Sequence, residues 1–166
     1  GYKAGCCIGK SSSQGDDNVF IGCCAGASNA SGLFNTFIGN GAGKANTSGH
    51  YNVMLGREAG SSTDGGGCNV FLGVSAGGNN AAGDRNIGIG YEVCLPSTSG
   101  DDQLAIGSGT NRWIAGDSSF NVTLAGIATA YATGIVSATK FCGDGAALPN
   151  VPGFTQDSNC NLIAGK

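Results

Sequence analysis

Short apolar runs recur along the chain at a constant interval of 17 residues, each bounded by an amide residue before it and a glycine after it. Runs of Val, Ile, Leu and Phe bounded in this way are typical of β-strands. A fixed period without insertions indicates a solenoid in which each repeat supplies one strand. The runs are Asn18–Gly22, Asn35–Gly39, Asn52–Gly56, Asn69–Gly73, Asn86–Gly90 and Gln103–Gly107.

Small residues keep the same period between the runs. Ala-Gly pairs follow four of the strands, and a single glycine precedes each of them. Glycine repeated at one place indicates a turn whose φ other residues resist. The sequence therefore predicts an all-β fold, a parallel β-roll or β-solenoid of 17-residue coils. The pairs are Ala25-Gly26, Ala42-Gly43, Ala59-Gly60 and Ala76-Gly77, and the single glycines are Gly15, Gly32, Gly49, Gly66, Gly83 and Gly100.

Side chains alternate between the two faces of a strand, so each run divides into two sets. We expect the second and fourth positions, such as Val19 and Ile21, to fill the coil with the alanines opposite them. The third position then forms an apolar stripe outside, and parallel strands that are apolar on both faces are covered on both. We predict that this stripe is the interface of a homotrimer, although residues 118–166 could instead fold back over it. Its residues are Phe20, Phe37, Met54 and Phe71.

The asparagine that opens each run forms a column of its own. Stacked side-chain amides in parallel, in-register arrays bond from one strand to the next. We expect such a ladder, and no binding role, for Asn18, Asn35, Asn52, Asn69 and Asn86.

The repeat decays toward the C-terminus, where Val93-Cys94 replaces Ala-Gly and Gly88 and Ala105 replace the large third-position residue. We therefore place a β-roll domain at residues 1–115 and a C-terminal β neck or stalk element at residues 116–166. Pro149 and Pro152 interrupt regular strand pairing within the second region. Trp113 is expected to cap the core or to fill the trimer axis.

Composition argues against several classes of partner. The net charge is −3 and the eight Lys and Arg are scattered singly, so we expect neither nucleic-acid binding nor membrane insertion. The eight cysteines include no CxxC pair, which argues against zinc. Cys6-Cys7 and Cys23-Cys24 lie one 17-residue step apart and could be linked, but the first five residues match Gly56–Gly60 better, which would make the first coil four residues longer.

Catalytic chemistry lacks its usual residues. His50 is the only histidine and is expected to be an exposed turn residue. Gly39–Lys44 lacks the spacing of a phosphate-binding loop. Asp16-Asp17 and Asp101-Asp102 could hold a hard cation, but solvated turns are the preferred interpretation. We expect no enzyme activity, no cofactor and no built-in metal.

The repeat resembles the N-x-x-x-I-G-x-x-A coils in the heads of trimeric autotransporter adhesins of the YadA type, which are left-handed parallel β-rolls assembled as trimers. It is also similar to the Gly, Asn and Thr repeats of marine bacteriophage tail fibres and appendages. Residues 132–148 resemble the "GIVTATSFVGDGSGL" stalk element of phage fibres, which favours the phage. The eight cysteines count against the bacterial adhesins, which generally avoid them.

These resemblances imply a structural module of a trimeric virion fibre involved in host attachment, on the virion or another extracellular appendage. Its implied partners are itself, other fibre or virion proteins and a host surface glycan. The alternative is the head of a bacterial trimeric surface adhesin. A more remote alternative is an ice-binding β-solenoid, which needs a flat face of small polar residues.

Overall fold

The structure is a computed structural model that describes residues 2–6, 17–125, 154–156 and 162–164. The described chain is all-β and contains no helix. It divides into two compact units, Gly1–Ala128 and Thr129–Lys166. The first unit holds β1 (Val19–Ile21), β2 (Thr36–Ile38), β3 (Val53–Leu55), β4 (Val70–Leu72), β5 (Ile87–Ile89), β6 (Leu104–Ser108), β7 (Asn111–Gly116) and β8 (Val122–Leu124).

Strands β1 to β6 are parallel and pair in chain order, with every residue facing its counterpart 17 positions later. The predicted parallel β-solenoid of 17-residue coils is confirmed, with each coil contributing one strand to one sheet. Strands β7 and β8 then continue the same sheet in antiparallel pairing. The first unit consequently extends beyond residue 115, where the sequence places the end of the roll.

The two faces of the strands are the reverse of the sequence prediction. Phe37, Met54 and Phe71 are fully buried inside the coils of the single chain, and Phe20 is half-buried against them. The second and fourth positions point outward, with Val19 46% and Ile21 55% exposed. Phe20, Phe37, Met54 and Phe71 therefore form the core of the coil, and assigning them to a trimer interface was wrong.

The physical reason is the narrow interior of a short coil. Successive side chains point to opposite faces, so a three-residue strand directs inward either its middle side chain or the two flanking ones, and the narrow coil has room only for the middle one. Opposite that side chain lies the Ala-Gly pair, whose alanines are also buried. A Cβ on Gly43 would lie only 2.6 Å from the ring of Phe37, so the glycine leaves the space that the ring fills. Phe20 and Phe37 stack on adjacent rungs with their centroids 5.1 Å apart.

The last coils fill the same interior with different residues. In the last two coils the third positions shrink to Gly88 and Ala105, while Val93 stands where the earlier coils have alanine and Leu95 follows it. Val93 is fully buried and Leu95 is 2% exposed, so large and small have exchanged sides. Where the repeat decays, the larger buried side chains therefore stand on the side of the coil opposite the strand. Trp113 is 66% exposed and caps nothing within the described chain.

The first coil is four residues longer than the others. The backbone N–H of Gly5 donates to the carbonyl of Ala25, twenty residues ahead, whereas Gly26 and Gly43 make the same bond to residues sixteen ahead. Cys6 accordingly lies beside Ala27, whose carbonyl oxygen is 3.1 Å from its Sγ. Cys6 and Cys23 are therefore not on matching positions.

The second unit contains an antiparallel pair, β9 (Phe154–Gln156) and β10 (Leu162–Ala164). The stalk-like segment at residues 132–148, Pro149 and Pro152 lie outside the described residues.

Candidate functional site

The outward side chains of the eight-stranded sheet form two parallel columns, which we call the outer strip. Residues paired between neighbouring strands share a face, so the register places each column along the whole sheet. None of the sixteen positions is charged, and all but Thr36 and Gly116 are Val, Ile or Leu. One column is Val19, Thr36, Val53, Val70, Ile87, Leu104, Gly116 and Val122; the other is Ile21, Ile38, Leu55, Leu72, Ile89, Ile106, Ile114 and Leu124.

The outer strip is accessible and large. Several of its side chains are about half exposed, including Leu55 at 46% and Leu124 at 54%. Seven steps between strands at about 4.8 Å make it about 34 Å long. With a width of about 12 Å its footprint is on the order of 400 Å², the size of the largest apolar patch on a typical monomer, and such patches are often functional.

Beside the outer strip, the predicted asparagine ladder is present and fully buried from Asn35 to Asn86. The Oδ1 of Asn52 accepts from the backbone N–H and the Nδ2 of Asn69, at 3.0 and 3.1 Å. The Nδ2 of Asn52 donates to the carbonyl of Gly66 at 2.8 Å and to Asn35 Oδ1 at 3.2 Å. Each amide therefore ties one rung to both neighbours, and Gln103 extends the ladder, since its backbone N–H donates to the Oδ1 of Asn86 at 2.8 Å.

Replacing Asn52 by alanine is expected to lower the free energy of unfolding by about 2–3 kcal/mol, because it leaves buried partners on both adjacent rungs without hydrogen bonds. Chemical denaturation followed by circular dichroism measures the change. Asn40→Ala is the matched control, since Asn40 is exposed. Equal effects of the two substitutions would contradict a structural role for the ladder.

The residues immediately before the ladder form a second exposed feature, which we call the corner ridge. All six have φ between +54° and +59°, a left-handed conformation in which non-glycine residues are uncommon. The corner ridge is Asp17, Phe34, Tyr51, Cys68, Arg85 and Asp102.

Two contacts organise the corner ridge. The rings of Phe34 and Tyr51 stack with centroids 5.0 Å apart and 4° between their planes. Higher on the ridge, Arg85 binds both oxygens of Asp102, with Nε 2.7 Å from Oδ1 and Nη2 3.0 Å from Oδ2. The hydrogen bond from Arg85 lowers the pKa of the Asp102 carboxyl below its ordinary value.

The other residues considered for chemistry have structural partners. The Nδ1 of His50 accepts the backbone N–H of Leu33 at 2.9 Å. Asp101 accepts the backbone N–H of Asp84 at 2.9 Å, while Asp16 lies outside the described residues. Within the described ranges no group of three or more His, Cys, Asp or Glu could hold a metal ion. Nor does the described part of the chain contain a helix long and apolar enough to cross a membrane.

Sequence reasoning missed the outer strip and the corner ridge as surfaces. One signal for the outer strip is present near the end of the repeat. There the third strand position is the small Gly88, and Val93 stands where earlier coils have alanine. Such an exchange of volumes indicates that the third position and the Ala-Gly pair share one interior. The corner ridge varies in residue type from coil to coil, which hid its constant backbone conformation.

Comparison of the chain with protein-family models, with curated proteins and with solved structures finds no match to any of them.

Proposed function

We propose that this chain is a structural module of a homotrimeric fibre, in which the outer strips of three copies pack together around a common axis. The observation that carries the proposal is the uncharged, aliphatic face that continues across all eight strands. A parallel sheet with such a face is ordinarily covered on both sides. The coil covers only the inner side.

The size and chemistry of the outer strip support a copy of the same chain as the occupant. The strip has no charge with which to select an oppositely charged partner, so its chemistry favours an equally apolar surface. Three strips of about 400 Å² together remove on the order of 1,200 Å² from water over the whole trimer, or about 400 Å² for each pairwise contact, so assembly rests on all three chains packing at once. Burial of several half-exposed aliphatic side chains on each chain supplies the driving force, at about 25 cal/mol per Å².

The fibre belongs, in this proposal, to a virion and takes part in host attachment. The support is the resemblance of residues 132–148 to phage stalk elements and of the coils to phage appendage repeats. The head of a bacterial trimeric surface adhesin would use the same trimeric coil, and the eight cysteines argue against that class.

Ice binding is the second candidate, because the outer strip is an array of side chains at regular spacing. The large Phe and Met side chains of the strands do not argue against ice binding, since they lie inside the coil. Thr36 is the only threonine among the sixteen positions, which disfavours a lattice of small polar groups. Measurable thermal hysteresis would favour ice binding over the fibre.

Light scattering tests the fibre proposal directly. The purified chain is expected to have three times the monomer mass of 16.3 kDa. Leu55→Lys places a charge in the centre of each outer strip and should yield a folded monomer, because its ammonium would be buried without a partner in the trimer. Ser62→Lys, on an exposed loop, should remain trimeric. A monomeric parent chain, or a trimer unaffected by Leu55→Lys, would contradict the proposal.

A further inference from the structure

We propose that the corner ridge carries a binding site for a neutral sugar ring, in a slot between Tyr51 and Arg85. This site lies beside the outer strip and not on it, and the inference rests on the proposed role in host attachment, to which it adds a ligand class. The slot encloses about 270 Å³, and all its lining residues belong to the first unit: His50, Tyr51, Gly65, Gly67, Cys68, Asp84 and Arg85.

The spacing of the solenoid creates the slot. Tyr51, Cys68 and Arg85 occupy one column on three successive rungs. Tyr51 and Arg85 are therefore two strand spacings apart, about 10 Å, with only the small side chain of Cys68 between them. Gly65 and Gly67 line the adjacent wall and have no side chain that would fill the slot. The gap fits one ring lying on the face of Tyr51.

The aromatic side of the slot is rigid and exposed. Phe34 stacks beneath Tyr51 in nearly parallel orientation, and the two side chains are 46% and 59% exposed. Aromatic rings offer a large contact area at little cost in side-chain entropy. Both residues hold a left-handed backbone, at φ +57° and +59°. All six residues of the corner ridge share this conformation, so it belongs to the turn of every coil.

Polar groups line the opposite side, as hydroxyl recognition requires. The Oδ1 of Asp84 accepts the backbone N–H of Gly67 at 2.7 Å, which fixes the carboxylate at the slot. The Oδ2 lies 4.0 Å from Arg85 Nη1. A carboxylate so placed accepts hydrogen bonds from sugar hydroxyls while the ring contacts Tyr51.

Charge selects a neutral sugar over an acidic one. Arg85 contributes one positive charge, but Asp84, Asp101 and Asp102 all lie within 4.0 Å of its guanidinium. The cluster is thus net negative by two, from three carboxylates and one guanidinium. Sialylated, uronic or sulfated sugars would meet repulsion at this site.

Binding to immobilised oligosaccharides tests the proposal, with neutral hexose and hexosamine glycans set against sialylated and sulfated ones. The parent chain should bind neutral glycans only. Tyr51→Ala should weaken binding at least about tenfold, because it removes the ring contact. Tyr91→Ala is the matched control: Tyr91 is 58% exposed but does not line the slot.

A filling substitution separates the slot from general loss of structure. Cys68→Phe should abolish binding while the fold persists, since Phe34 shows that a phenylalanine is accepted in this column at φ +57°. Leu55→Lys, which targets the outer strip, should leave binding to each chain unchanged, so failure of self-assembly and failure of sugar binding remain distinguishable. Binding that survives Tyr51→Ala or Cys68→Phe, a preference for acidic glycans, or absence of neutral-glycan binding would overturn the proposal.

Discussion

Gly56→Ala is expected to lower the free energy of unfolding by more than about 3 kcal/mol, enough to unfold the central coils. Gly56 has φ +135°, a conformation that residues with a Cβ avoid. An added Cβ would lie 2.3 Å from the carbonyl oxygen of Gly73 on the next rung. Since backbone occupies that space, relief requires the rungs to separate. Chemical denaturation monitored by circular dichroism measures the loss.

Gly65→Ala is the matched control in the same coil. The nearest atom to its added Cβ is the hydroxyl of Ser48 at 3.5 Å, an ordinary contact. This substitution should be neutral or stabilise by about 0.4–1 kcal/mol through a less flexible unfolded chain. Comparable destabilisation by Gly56→Ala and Gly65→Ala would contradict the close stacking of the glycine column.

Phe71→Ala is expected to destabilise the chain by about 3–5 kcal/mol, because it leaves a cavity in a fully buried position. The ring fills the interior so closely that a Cβ on Gly77 would lie 2.4 Å from it. The loss should not depend on protein concentration, since the cavity forms within one chain. Equilibrium denaturation at two or more protein concentrations measures both properties.

Leu55→Ala is the comparison for Phe71→Ala. Leu55 lies on the outer strip and is 46% exposed in the single chain. Its truncation should cost little within a chain but should weaken assembly, so its effect should depend on protein concentration. If the effect of Phe71→Ala depended on protein concentration and that of Leu55→Ala did not, the third strand position would be the outward one, as the sequence predicted.

The solenoid itself could be predicted because its signals are local and repeated. Each coil requires a glycine with φ near +135° and an amide that bonds the next rung. The chain repeats both every 17 residues. The register of β1 to β6 follows from that period alone. Period, parallel pairing and the asparagine ladder were therefore accessible from the sequence.

The direction of the side chains could not be predicted from alternation alone. Both faces of each strand are apolar, so the pattern allows either to be inside. What decides is the width of the coil, which admits one large side chain per rung opposite an Ala-Gly pair. The corner ridge could not be predicted for a different reason. The slot beside Tyr51 exists because Cys68 is small between larger neighbours, and this is a property of three rungs together.

Photo-crosslinking tests most directly the central claim that the outer strip joins copies of this chain. A benzoylphenylalanine in place of Leu55 should produce covalently linked dimers and trimers on irradiation, whereas the same residue in place of the exposed Ser62 should leave single chains. Crosslinks from position 55 confined to its own chain would show that another part of the chain covers the strip, and would contradict the trimer.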